Sequence, residues 1–244
     1  ETTWAVYSSF AINPDLLKRG ESNTVVVRAW NDLPFGGGGW YSGPVALYSQ
    51  SAFEKEEDGQ SRFFEEEFES ASIGGNEKYL VYLPESYYET DRYYPTVYLL
   101  HQFNSDHTSY KTDEIDRIID ESVKAGLFDE MIVIVPNSSE NSWWTGSWEK
   151  MVTEELIPLV DSKYRTIKDA RFRMTAGCSM GGQGAFGVGL TNPDQFSGAV
   201  SFFGALSMPP TDAENALKIA QNESTDYLNY YTMYFICGNQ DSYG

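Results

Sequence analysis

From Phe172 the chain reads Phe-Arg-Met-Thr-Ala, then Gly-Cys-Ser-Met-Gly, then Gly-Gln-Gly-Ala-Phe-Gly up to Gly187. An apolar run of strand character enters a turn bounded by glycines and leaves it as a helix of small residues, and few folds hold such a segment. Glycines at 177 and 181 allow a sharp turn that a Cβ would resist, and they let the helix pack close to the sheet. The surrounding pattern fits. Thr96–Leu100 reads as a strand, and Asp113–Ala125 as a helix with Ile115, Ile118, Ile119 and Val123 on one face and Gly126 at its end. Met131–Val135 reads as a buried strand ended by Pro136, and Trp148–Val160 as a helix despite Pro158. Phe172–Ala176, Gly198–Phe203 and Tyr231–Cys237 read as strands, separated by helices at Gly182–Leu190 and Ala213–Gln221. Strands alternating with helices predict an α/β fold, a mostly parallel sheet covered on both faces.

The 36 acidic against 17 basic residues give a net charge of −19. That balance excludes a basic nucleic-acid footprint and disfavours anionic membranes. No apolar run reaches the ~18 residues that a membrane-spanning helix needs. Two cysteines and two histidines make neither a disulfide framework nor a histidine-rich metal site, so neither metal nor cofactor is expected. The first 50 residues differ in character: Thr24–Trp30 is a β-branched strand, Gly36–Gly39 is a glycine run, and Val45–Tyr48 is a second apolar strand. Glu54–Gly59 is a charged linker, and Phe63–Glu69 with Lys78–Leu83 predicts an antiparallel pair turning through Gly74-Gly75-Asn76. The acids of that pair lack calcium-ligand spacing and read as a solvated strand face.

Gly177-Cys178-Ser179-Met180-Gly181 is a G-x-S-x-G motif in the strand–turn–helix setting of a nucleophile elbow. It lifts the Ser179 hydroxyl above the sheet at a helix N-terminus, where partial positive charge favours a developing oxyanion. A serine needs a base oriented by a carboxylate, and on an α/β-hydrolase the order is serine, acid, histidine. Of the downstream acids, Asp241 alone follows a predicted strand directly, which places it at the sheet's C-terminal edge beside Ser179. The only histidines, His101 and His107, precede the serine. The chain therefore reads as C-terminally truncated before its histidine, with a noncatalytic descendant as the rival explanation. His101, at a strand end, reads as structural, and His107 as a less favoured alternative base. The loop Asn141–Trp148 follows the strand ending at Pro136. Its three tryptophans, 143, 144 and 148, offer a platform for a sugar or phenolic ring, unless one of them, Trp148 first, packs in the core. Cys178 and Cys237 end strands with one strand between them, about 9–10 Å apart at ~4.8 Å per step. That is beyond disulfide reach, and both are expected to be buried thiols.

Phe10-Ala-Ile12, Leu16–Gly20, Val25–Arg28 and Gly39-Trp40-Tyr41-Ser-Gly43-Pro44-Val45 resemble the later half of the jelly-roll sugar-binding domain of β-galactosidase-type glycosidases. Residues 61–244 resemble the esterase D-like α/β-hydrolases, above all carbohydrate esterase family 1, the feruloyl and acetylxylan esterases. The matching stretches are Tyr82–Tyr87, Tyr94–His101, Asn141-Ser142-Trp143, Glu155–Pro158, Tyr164-Arg165-Thr166, Ala176–Gly182 and Asn192–Phe196. The resemblances imply three segments: a partial β-sandwich at 1–53, an acidic linker at 54–60, and an α/β-hydrolase domain at 61–244. They imply a Ser179–Asp241–His triad, an oxyanion hole from the N–H groups of Met180 and Phe103, and Gln102 standing where the family has glycine after His101. Gln102, Trp143 and Trp144 become candidate substrate contacts. The expectation is a secreted serine esterase acting on acylated carbohydrate, with neither nucleic acid nor membrane as partner. Acyl transfer to an alcohol, and glycan binding by a degenerate hydrolase, are the alternatives.

Overall fold

The computed structural model describes residues 62–139, 141–206 and 231–238. The segments expected at 1–53 and 54–60, the helix expected at Ala213–Gln221, and Asp241 lie outside the described residues. Within them, seven strands form one sheet in the order β1-β2-β4-β3-β5-β6-β7. These are β1 (Phe63–Ser70), β2 (Gly75–Tyr82), β3 (Thr96–Leu100), β4 (Ile132–Pro136), β5 (Arg173–Cys178), β6 (Gly198–Phe202) and β7 (Thr232–Ile236). β2 runs antiparallel to β1 and to β4, while β4, β3, β5, β6 and β7 run parallel. The helices are α1 (Ile115–Lys124), α2 (Ser147–Lys150), α3 (Ile157–Lys163) and α4 (Met180–Thr191).

Every residue of β4, Ile-Val-Ile-Val-Pro, is buried, because a parallel strand covered on both faces has no solvent side. Alternate side chains divide between two cores. Val81, Tyr98, Leu100 and Ile134 face Leu156, Val160, Met180 and Val188. Tyr82, Leu99, Val133 and Ala176 face Ile119 of α1 and Tyr110. Helices thus cover both faces of a mostly parallel sheet, the architecture predicted by the alternation.

Two local departures have physical causes. The pairing of β1 with β2 continues past the expected ends to Ser70↔Gly75. The expected helix Trp148–Val160 is broken by a π-helical stretch, Met151–Leu156, between α2 and α3. Pro158 falls in the first turn of α3, where a missing N–H costs nothing, so the register change makes room for it. The carboxylate of Glu155, in the π stretch, accepts bonds from the Ser70 and Ser72 hydroxyls and the Ser72 N–H. Burial pulls this carboxyl's pKa up, but those hydrogen bonds together outweigh it and leave the pKa below its usual value. The hairpin turn is thereby tied to the helical layer.

Candidate active site

β5 ends at Cys178 and α4 begins at Met180, so Ser179 alone makes the corner. Its backbone lies at φ 54°, ψ −116°, a region that non-glycine residues occupy only when the surroundings enforce it. The enforcement is visible. Ser179 donates its N–H to Phe202 O at 2.9 Å, and its carbonyl accepts from Gln183 N–H at 3.0 Å and Ala205 N–H at 3.1 Å. A Cβ on Gly181 would sit 1.9 Å from Leu100 O, and one on Gly177 would sit 2.3 Å from Gly181 O. The end of β3, the end of β5 and the first turn of α4 pack backbone to backbone, which only glycine permits. Ser179 is half-buried at the sheet's C-terminal edge. Met180, as the first residue of α4, has an N–H with no intrahelical acceptor; its side chain is fully buried.

Tyr110 reinforces this corner, although nothing in the sequence marked it. Its buried hydroxyl donates to Leu100 O at 2.9 Å and accepts from Cys178 N–H at 3.1 Å, joining β3 to β5 where their ladder ends. Cys178, beside the serine, is held in the neutral thiol form: burial, and secondarily the Asp113 carboxylate, push its pKa up to about 11. It is no rival nucleophile at neutral pH. Cys178 and Cys237 are both free thiols on opposite sides of β6. Neither is fully buried as expected: Cys178 is half-buried, and Cys237 is exposed, because β7, from which it follows, has every residue exposed.

The loop after β3 begins at His101, which is completely buried. Gln102 avoids positive φ, and the left-handed residue of this loop is Asn104, at φ 55°. Gln102, standing where the resemblance has glycine, is thus spared the positive φ that its Cβ would resist, and the left-handed turn falls to an asparagine, which tolerates it. Gln102 Oε1 is buried without a hydrogen-bond partner. Phe103 is 51% exposed and its ring meets that of Trp143 at 6.3 Å, tilted by 39°.

The tandem tryptophans separate. Trp143 and Trp144 both take positive φ, 51° and 55°. Trp143 is half-buried, and its N–H reaches Met180 Sδ at 3.4 Å. Trp144 is 1% exposed, its indole N–H donates to His101 O at 3.2 Å, and its ring lies against Gly184. Trp144 as a substrate contact is therefore corrected: it is a core residue that anchors the loop, while Trp143 stays at the edge beside Phe103. Trp148, the residue first expected in the core, is only partly buried against it. Two consecutive left-handed residues are strained, and burial of one indole holds them in place.

His107 lies on the hairpin side of the sheet. Its Nε2 meets Glu65 Oε2 at 2.9 Å and its Nδ1 meets Asn137 Oδ1 at 3.1 Å. Both nitrogens are engaged, and Glu65 belongs to β1, four strand positions from β5, or ~19 Å at ~4.8 Å per step. Neither histidine of the chain faces Ser179 as a free base. Among the described residues, no group of three or more acidic, histidine or cysteine side chains is placed to hold a metal, and no helix is long and apolar enough to cross a membrane.

Comparisons with known proteins bear on this geometry. Residues 70–235 match the family described as Putative esterase. Esterase MT1326 of Mycobacterium tuberculosis is 29% identical over 150 residues, covering 58% of this chain and 32% of that protein. An endo-1,4-beta-xylanase/feruloyl esterase of Xylanibacter ruminicola is 30% identical over 153 residues, 57% of this chain and 20% of that protein. The chain thus spans a third or less of the curated relatives it matches. Among solved structures, a ferulic acid esterase superposes with a TM-score of 0.60 at 25% identity, covering 69% of this chain and 74% of that one. With the sheet order, the strained serine corner and a family match over most of its length, the chain belongs to the family described as Putative esterase and has the α/β-hydrolase fold.

Proposed function

We propose that this protein hydrolyses esters of acylated carbohydrates through an acyl-enzyme on Ser179. The observation that carries the reading is the Ser179 backbone, held at φ 54° by the surrounding hydrogen bonds at the C-terminal edge of the sheet. Strain of this kind persists where the structure over-determines it, and it lifts the hydroxyl toward an approaching carbonyl. In this reading the Ser179 oxygen attacks the ester carbon and its proton passes to a general base that neither of the chain's two histidines supplies. Asp241 orients that base. The alcohol leaves with the proton, and water then releases the acid by the same steps in reverse. The N–H groups of Met180 and Phe103 stabilise the tetrahedral oxyanion, each worth ~3–4 kcal/mol. Trp143 and Phe103 offer aromatic surface to the acyl group or the sugar, and the unpaired Gln102 Oε1 offers an acceptor to a hydroxyl. The names of the Xylanibacter relative and of the superposed ferulic acid esterase support an aromatic acyl group. The same reading keeps a sugar-binding-like segment at 1–53, a linker at 54–60 and the hydrolase domain at 61–244, in a secreted protein.

The test is the Ser179→Ala variant of the intact protein, assayed on methyl ferulate and on a chromogenic acetate. Loss of ~10⁴-fold or more in kcat is expected, because the nucleophile is gone while binding remains. Mass spectrometry of the parent protein after a fluorophosphonate is expected to place the adduct on Ser179. Undiminished turnover by the variant would overturn the assignment.

A further inference from the structure

His101 takes no part in the scheme above, yet both its ring nitrogens and its carbonyl oxygen are engaged. Its ring Nδ1 lies 2.9 Å from the carbonyl oxygen of Gln102, and its Nε2 lies 2.8 Å from Ser138 Oγ. A carbonyl only accepts, so Nδ1 carries the proton, and Nε2, unprotonated in the neutral ring, shares the Ser138 hydroxyl proton with Ser139 O, which lies 3.1 Å from the same Oγ. The network continues outward. Ser138 Oγ lies 2.8 Å from Ser142 Oγ, which accepts the N–H of Trp144 at 3.2 Å. The backbone of His101 is gripped as well: its oxygen accepts the Trp144 indole N–H, and the same oxygen would stand 2.7 Å from a Cβ on Gly181. The Trp144 ring meets the imidazole edge-on at 5.0 Å.

The Gln102 carbonyl and the Phe103 N–H belong to one planar peptide unit. In a trans peptide they point in opposite directions, so fixing one fixes the other. We propose that His101 is a positioning residue whose Nδ1–H holds the Gln102 carbonyl and so aims the Phe103 N–H at the oxyanion. This rests on the reading of Phe103 as the second donor. It assigns a purpose to a buried polar network that an apolar core would otherwise replace, since a half-satisfied buried imidazole is costly. Burial, the largest influence on this ring, keeps its pKa below the usual histidine value, so the neutral form with a single N–H persists at neutral pH.

Two substitutions separate the ring nitrogens. An asparagine amide nitrogen is as many bonds from Cα as Nδ1, and a glutamine amide nitrogen as many as Nε2. His101→Asn therefore retains the bond to Gln102 O, and His101→Gln retains only the contact with Ser138. In the intact protein, His101→Gln is expected to lower kcat by ~30-fold or more with KM within ~3-fold, and His101→Asn to recover to within ~5-fold of the parent, because a misaimed donor is lost in the transition state alone. Equal losses in the two variants, or a change confined to KM, overturn the proposal. If His101→Gln fails to fold, the parent protein labelled with 15N-histidine supplies the answer: an Nδ1-protonated imidazole upholds the proposal and an Nε2-protonated one overturns it. Ser179→Ala in the same assay keeps the two claims apart. If it retains activity, the nucleophile reading fails and the positioning role fails with it. If it is inactive while the two His101 variants match, the positioning role fails alone.

Discussion

Around β5 the chain approaches itself so closely that a methyl group has no room, whereas on the solvent-facing side of the β1–β2 hairpin the contacts run between long charged side chains. At the corner, a Cβ on Gly181 would overlap Leu100 O at 1.9 Å. On the hairpin, Lys78 Nζ meets Glu65 Oε1 at 2.7 Å with both side chains about half exposed, and Lys163 reaches Glu66. One region is specified by shape and the other by charge. Shape tolerates no adjustment, because backbone atoms cannot rotate away. Screened charge pairs tolerate a great deal. The difference matters for function, because a reacting hydroxyl held to tenths of an ångström needs the first kind of support.

The sharpest way to break this comparison is Gly181→Ala. Relief of a 1.9 Å overlap with a backbone oxygen requires β3 and α4 to part, so a stability loss above ~3 kcal/mol and loss of esterase activity are expected, beyond the usual range for overpacking. Urea unfolding followed by circular dichroism would measure it. A variant as stable as the parent would show that the corner is looser than its geometry implies.

The tandem tryptophans come next, since they place the two kinds of role side by side. Trp144 is buried and Trp143 is half-buried at the edge. Trp144→Ala is expected to cost ~3–4 kcal/mol of stability. Trp143→Ala should leave the melting temperature nearly unchanged and lower kcat/KM on an aryl ester by up to ~10-fold relative to an acetyl ester, the worth of one aromatic contact. The reverse pattern, stability lost at Trp143 and selectivity at Trp144, would invert the assignment of the pair.

These positions show which features the sequence carries openly. Buried parallel strands such as Ile132–Pro136 announce themselves as apolar runs, and α1 by its spacing of Ile115, Ile118 and Ile119, because burial leaves a pattern in local composition. Ser179 was legible for a different reason: its flanking glycines are demanded by contacts that the strand–turn–helix motif always makes. Which of two adjacent tryptophans turns inward was not legible, since the left-handed conformations at Trp143 and Trp144 are held by Gly184 and Met180 from a distant part of the chain, with Ser142 closing the turn locally. Tyr110, Ser138 and Ser142 were equally silent, because a hydrogen bond between residues far apart in sequence leaves no periodic trace. The asparagine at 104 that spares Gln102 a positive φ had a faint signal, as Asn accepts that region more readily than other non-glycine residues.

Tyr110→Phe tests the corner more gently. It removes only the hydroxyl between Leu100 O and Cys178 N–H, leaving a buried donor and acceptor unpaired, so a loss of ~1–3 kcal/mol is expected. Burial holds this phenol's pKa well above its ordinary value, so the contribution is constant across neutral pH. A kcat that falls with stability would show that the ladder's end supports the serine. An unchanged kcat would confine Tyr110 to folding.

The smallest effect belongs to the hairpin and depends on pH. Hydrogen bonds from Lys78 first, and then His107, hold the Glu65 carboxyl below its ordinary value of 4.5. A carboxylate whose pKa is depressed in the folded state stabilises the fold above its unfolded pKa, and that contribution fades as the pH falls through the folded value. The parent protein should therefore melt slightly higher than Glu65→Gln at about pH 7, and the gap should close in acid once the pH has fallen through the depressed value and Glu65 is neutral. High salt should narrow it at neutral pH through screening. A gap that survives both acid and salt would mean that Glu65 acts by packing, and the hairpin would then belong with the corner it is contrasted against.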